Sequence, residues 1–260
     1  MIHYALILAA GKGSRLKYNK TPKQFLELNQ LPIVMHSAKV FSLAHPETLL
    51  YIALPKKYDL EWAKLCKKHH FSIKHTIYNG GKKRIDTVFK GLKIIHNNVM
   101  NRFSYNEAKT VLVSIHDAAR PFINEKFILE LIDNANRFNT AIPVLNLKNS
   151  IRTFTQESQK SISINRESYI TTQTPQVFNL FKIYEAYVRA HESHKLDSDQ
   201  GHVRDFKKPN AMFDDASVYD FFSKSAPVHL VEGLEHNIKI TTDLDYFLSP
   251  MIYKFIKKHQ

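Results

Sequence analysis

Between residues 7 and 25 the chain reads ILAAGKGSRLKYNKTPKQF: an apolar run stops at Gly11, and Gly13, Ser14, Arg15, Lys20 and Lys23 follow. Glycines there permit a tight turn with exposed backbone N–H groups, the arrangement in which nests and helix N-termini bind phosphate. Position 16 is Leu16, so the dinucleotide fingerprint G-x-G-x-x-G fails, and no G-K-[ST] ending marks a Walker-type loop. What is left is a loop with cations at 15 and 23, suited to neutralising a triphosphate directly. An ordinary strand-to-helix turn explains the same residues when they are taken alone.

Three more clusters carry possible chemistry. SIHDAARPFI (114–123) puts Asp117 at the carboxyl end of an apolar run, where open parallel sheets bind ligands. A lone carboxylate beside phosphates suits magnesium, which keeps several waters and needs few protein oxygens; a helix cap paired with Arg120 is the plainer reading. YNGGKKRIDTVFKGL (78–92) sets Gly80 and Gly81 before a helix start bearing Arg84 and Thr87. The glycines would admit a flat base and Thr87 a hydroxyl, or the stretch is simply a connecting loop. TTQTPQVF (171–178) reads as a polar loop, and HNIKITT (236–242) as an alternating strand containing Lys239, of interest only if that lysine reaches the cleft of Arg15 and Lys23.

These residues need a scaffold, and 260 residues at 43% hydrophobic suffice for one domain with a full core. Cys66 is the single cysteine and excludes an internal disulfide; with no signal peptide or long apolar span evident, a soluble cytoplasmic protein without a membrane segment is expected. The formal net charge of +13 invites a nucleic-acid reading, but the lysines are scattered, with no basic stripe interleaved with aromatics and no helix-turn-helix, zinc-finger or RNA-binding signature. Most of that charge is expected on a solvated face, with a few cations serving a small anionic substrate.

Short apolar runs at 3–10, 49–55, 71–78, 110–119 and 139–147 alternate with helical periodicity at 32–44, 59–70, 84–98 and 125–138. Strand and helix in alternation predict an α/β fold, a doubly wound parallel sheet with helices on both faces. The tract 148–172 alternates polar and apolar residues without a helical stripe, which predicts an antiparallel hairpin projecting as a β-arm. An arm with little core of its own is normally held by a partner, so a homodimer is expected. Then follow a helix (178–194), a polar loop (196–213), a short helix (214–224) and a last strand pair (226–241).

Six stretches in order, LAAGKGSRL…PKQF, GGKKRIDTVFKGL, HDAARPFI, QTPQVF, DDAS and NIKITT, resemble the 2-C-methyl-D-erythritol 4-phosphate cytidylyltransferase family from about residue 4 to about residue 245. The resemblance implies a Rossmann-like nucleotidyltransferase domain spanning 1–260, with the arm exchanged across a homodimer. It further implies transfer of CMP from CTP to a sugar-alcohol phosphate, with Mg²⁺ as cofactor and pyrophosphate released, in the non-mevalonate route to isoprenoid precursors. Carried over by position, Arg15 and Lys23 would embrace the triphosphate beside Gly11 and Gly13, and Lys239 would contact the α-phosphate. Asp117 would hold the metal, while Ala9, Ala10 and Gly81 with Thr87 would recognise cytosine. Arg120 would approach the nucleotide or order its loop. Ser150, Arg166 and Thr174 would grip the acceptor phosphate, Arg166 coming from the other subunit.

Asn149 and Asn165 stand where the family commonly has Asp, both on the acceptor side, and the loop around 196–210 is longer than usual. Ribitol-5-phosphate cytidylyltransferase shares the CTP motifs and is the nearest rival; the residues around the arm favour the erythritol phosphate enzyme. A non-catalytic nucleotide- or RNA-binding protein is the alternative from another class.

Overall fold

The apolar run at the start of the chain forms β1 (His3–Leu8), buried along nearly its whole length. In this computed structural model, which describes residues 2–11, 21–154, 160–199, 214–223 and 225–259, β1 lies mid-sheet. Alternation sends its side chains to opposite layers. Tyr4 and Leu6 join one apolar core and Ala5 and Ile7 the other.

After a 3₁₀ turn at Lys23–Phe25 and the ribbon β2 (Glu27–Leu28) and β3 (Leu31–Pro32), the chain winds on. It forms α1 (Ile33–Ala44), β4 (Leu49–Leu54), α2 (Asp59–Lys68), β5 (His75–Asn79), α3 (Arg84–Arg102), α4 (Tyr105–Ala108) and β6 (Leu112–Asp117). Next are α5 (Glu125–Phe138) and β7 (Thr140–Asn146). Strands β6, β1, β4 and β5 run parallel in that order. Helices α1, α2 and α5 cover one face, and α3 covers the other. The doubly wound expectation therefore holds for the first half of the chain.

Beyond β7 the structure departs from the sequence reading. The arm's hairpin is β8 (Ile151–Phe154) paired antiparallel with β9 (Ser161–Ile164), a two-stranded sheet of its own. Its expected end is not part of it: β10 (Ile170–Thr172) joins the main sheet, antiparallel to β7. The stretch expected as a polar loop contains a cis Thr174–Pro175 bond and then β11 (Gln176–Asn179), buried and antiparallel between β6 and β7. Polar residues survive there because each finds a partner. The Gln176 amide donates to Asp214 at 2.8 Å and its carbonyl accepts from the Ala216 N–H at 2.9 Å.

The chain closes with α6 (Leu180–Asp199), α7 (Asp215–Phe222), β12 (Leu230–Glu232) and α8 (Asp243–His259). Helices α6 and α7 share the layer of α3. Only β12 of the expected last strand pair forms, parallel to β7. Residues 236–242 are not a strand, since their backbone is spent on loops such as Ile240 N–H to Ala119 C=O at 2.8 Å. Helix α8, absent from the sequence reading, runs through Pro250 and packs on Leu26, Leu28, Ile33, Phe122 and Ile240.

Candidate active site

At the carboxyl ends of β1, β4 and β6 lies a cleft of about 850 Å³. Each wall follows from local sequence. Small residues after β1 (Ala9, Ala10, Gly11) keep one side open, and Gly80 lets the loop after β5 sit against it. A Cβ at Gly80 would lie 2.3 Å from the Ala10 Cβ, so only glycine allows that approach. The loop is closed by Thr87, whose hydroxyl accepts from the Gly81 N–H at 2.9 Å and donates to the Lys83 carbonyl at 3.1 Å.

Among the described residues six cations line the cleft, Lys23, Lys57, Lys82, Lys83, Arg84 and Lys239, against one carboxylate, Asp117. That imbalance calls for a polyanionic ligand. Asp117 ends β6 and takes a hydrogen bond at each oxygen, from Lys239 Nζ at 2.6 Å and Arg84 Nε at 3.3 Å. Burial pushes its carboxyl up, but Arg84 and Lys239 more than reverse this and hold it well below the usual carboxylate range. Arg84 is itself clamped from behind. Its two terminal nitrogens donate to Asp215 at 2.9 and 2.7 Å, and Tyr187 donates to the same fully buried carboxylate at 2.5 Å.

Lys23 and Lys239 meet through the backbone: Lys23 Nζ donates to the Ile240 carbonyl at 2.9 Å, although 217 residues separate them in sequence. Cations from the first loop and from the segment before α8 thus share one pocket.

Such a pocket, at the carboxyl edge of a doubly wound sheet, invites comparison with known proteins. Residues 3–254 match the family model for 2-C-methyl-D-erythritol 4-phosphate cytidylyltransferase (IspD). The chain belongs to this family. The enzyme of that name from Bacteroides fragilis is 32% identical over 245 residues, covering 94% of this chain and 96% of the relative. The enzyme of that name from Bacteroides thetaiotaomicron is 31% identical, covering 92% and 94%. Among solved structures, 4-diphosphocytidyl-2C-methyl-D-erythritol synthase from Anaerococcus prevotii shares the fold at a TM-score of 0.73 and 21% identity, covering 97% of this chain and 96% of the other.

Set against the family expectation, Lys23, Asp117, Lys239, Ala9, Ala10, Gly11, Gly81 and Thr87 line the cleft, while Gly13 and Arg15 lie outside the described residues. Lys239 reaches it from a loop and not from a strand. The Ala9 N–H is already given to the Ala53 carbonyl at 3.0 Å and that of Gly81 to the Thr87 hydroxyl. Arg120 does not line the cleft; it donates to the Asn237 carbonyl at 2.8 Å and orders the loop that carries Lys239.

Thr174 is a correction. It is 4% exposed, and its hydroxyl is taken by the Asp117 N–H and by His116, each at 3.1 Å, so it supports the end of β6 and is not open to an acceptor. Ser150 and Arg166 are exposed at the base of the arm, outside the cleft, and Arg166 donates to the Lys148 carbonyl. The sequence reading gave Arg84 no task and matched DDAS without a role for Asp215. The signal was an arginine beginning one motif and an acidic pair in another.

Proposed function

We propose that this cytidylyltransferase binds CTP in the cleft and drives transfer to 2-C-methyl-D-erythritol 4-phosphate by alignment and charge stabilisation, with Lys23 and Lys239 on the phosphates. The observation that carries the reading is the convergence of these lysines on one pocket opposite Asp117. The acceptor's phosphate is already an anionic nucleophile, so no general base is needed. In keeping with this, His116, the residue before Asp117, is fully buried, and burial lowers its pKa to about 3, which suits a structural role. As negative charge gathers around the α-phosphorus, Lys23 and Lys239 counter it, with Arg15 assigned the same task.

Asp117 is the residue assigned to magnesium. One carboxylate completed by nucleotide phosphates and water is a donor set this ion accepts, and no cluster of three or more ligating side chains occurs among the described residues. Bound there, the ion would neutralise phosphate charge. Lys239, on a long stem and 37% exposed, can release Asp117 and turn to a phosphate, whereas Arg84 is kept in place by Asp215. Nucleotide base recognition is assigned to the carbonyls of Ala9 and Gly81.

The acceptor subsite is assigned to Ser150 and Arg166 of an arm exchanged in a homodimer, since neither residue reaches its own cleft. A small nucleotide-sized pocket supports a free nucleotide and not nucleic acid as the partner. The lone half-buried Cys66 is compatible with a cytoplasmic setting. Among the described residues no helix is long and apolar enough to cross a membrane.

The test is pyrophosphate release from CTP with each acceptor, followed by subunit mixing. Methylerythritol phosphate should be used at least tenfold better than ribitol 5-phosphate; the reverse order would overturn the acceptor assignment. An equal mixture of inactive Arg166→Ala and Lys239→Ala chains should regain about a quarter of wild-type turnover if the arm serves the neighbouring cleft, and no recovery would refute exchange.

A further inference from the structure

Helix α8 is apolar on two sides. Tyr246, Ile252, Tyr253 and Ile256 face the core cluster beneath it, which is all that a docked helix requires. On the opposite side Leu244, Phe247, Leu248, Met251 and Phe255 recur at i, i+3, i+4, i+7 and i+11 and are exposed by 66, 56, 42, 70 and 56%. Scattered surface hydrophobics need no explanation, but a continuous stripe along one helix does.

We propose that this stripe pairs two copies of the chain, helix to helix and antiparallel, as a surface separate from the β8–β9 arm. Charge order selects this occupant. Helix α8 begins with Asp243 and Asp245 and ends with Lys254, Lys257, Lys258 and His259. An antiparallel second copy sets each acidic start beside a basic end twice over, whereas an anionic lipid surface would attract one end and repel the other. The spacing is self-complementary too. With Leu244 opposite the partner subunit's Phe255, the same two-fold axis brings Leu248 opposite the partner subunit's Met251, so four of the five side chains meet in layers and Phe247 packs beside them. Five large residues from each copy bury on the order of 1,000 Å², the lower bound for a specific interface.

If the arm also pairs, two distinct two-fold contacts build a tetramer; if it does not, α8 alone builds a dimer. The interface would lie just outside the cluster of Leu26 and Ile240 that underlies both active-site lysines.

Light scattering after size exclusion, over a roughly hundredfold concentration range, measures the association. The Phe247→Glu/Met251→Glu variant places like charges across the two-fold and should weaken one association step by roughly a hundredfold or more, halving the mass at intermediate concentration. Unchanged circular dichroism and turnover per chain should show that its fold is kept. The Phe247→Lys/Met251→Lys variant should behave alike, and mixing the two should restore the lost step. A mass identical to wild type, or mixing without restoration, overturns the proposal. So does loss of binding to phosphatidylserine vesicles with no change in mass, which would assign the stripe to lipid.

Discussion

Replacing Asp215 by Asn separates support of the site from its chemistry, because Asp215 does not line the cleft. The carboxylate is fully buried and accepts three hydrogen bonds, at 2.9 and 2.7 Å from Arg84 and 2.5 Å from Tyr187. Whichever oxygen becomes an amide nitrogen, one N–H of Arg84 then faces another donor, and the guanidinium loses its compensating charge. Removing one partner of a buried pair costs about 3–5 kcal/mol; since Asn keeps one acceptor, a loss of about 2–4 kcal/mol is expected. Arg84, freed from behind, should move onto Asp117, which it already touches at 3.3 Å. That leaves the carboxylate less available and the neighbouring lysines misplaced, lowering turnover roughly 10- to 100-fold, or about 1.4–2.7 kcal/mol of barrier. The assay pairs urea unfolding with pyrophosphate release from CTP and methylerythritol phosphate. An unfolding midpoint equal to wild type together with turnover within twofold would refute the claim that Asp215 holds the site through Arg84.

Further outcomes follow from the same geometry. Lys23→Ala and Lys239→Ala should each remove about 3–5 kcal/mol of transition-state stabilisation, two to four decades in rate, with thermal unfolding nearly unchanged; near-normal turnover of either purified variant shows that lysine's assignment is wrong. Gly80→Ala forces a Cβ to within 2.3 Å of Ala10 and 3.2 Å of the Thr87 hydroxyl, and should cost about 1–3 kcal/mol of stability while raising KM for CTP. Melting and kinetics at wild-type values would show that the loop does not depend on this contact. His3 and His116 are fully buried, and burial lowers both pKa values to about 3. The unfolded chain binds those protons first, so their stability contribution is complete above about pH 6.5 and is lost progressively toward pH 3, by about 2 kcal/mol each at pH 5. Urea midpoints that do not fall between pH 7 and 5 would contradict this.

Much of the molecule is written locally. Two-residue and three-to-four-residue periodicities distinguish strands from helices, and the alternation Tyr4, Leu6 against Ala5, Ile7 already separates two core layers. Gly80 marks where the loop after β5 must come close to Ala10, and Asp117 after an apolar run marks the ligand edge of the sheet. These features depend on which side of a segment is wet, and a single segment carries that information. Arrangement among distant segments is another matter. The sequence states that Arg84 and Asp215 exist, not that they meet across 131 residues. Thr174 shows no local sign that its hydroxyl is consumed by Asp117 and His116, and Gln176 looks fit for a loop until Asp214 and Ala216 satisfy its amide. Lys239 looked strand-borne from its alternating neighbours, but Ile240 N–H bonds to Ala119 and the segment becomes a loop. The sequence by itself therefore determined the layers, the cleft's edge and the family; the tertiary structure decided which charges pair and which polar groups are already spoken for. The reason is that hydrogen bonds and ion pairs reach only a few ångströms, so partners far apart in sequence are chosen by where the folded backbone crosses itself.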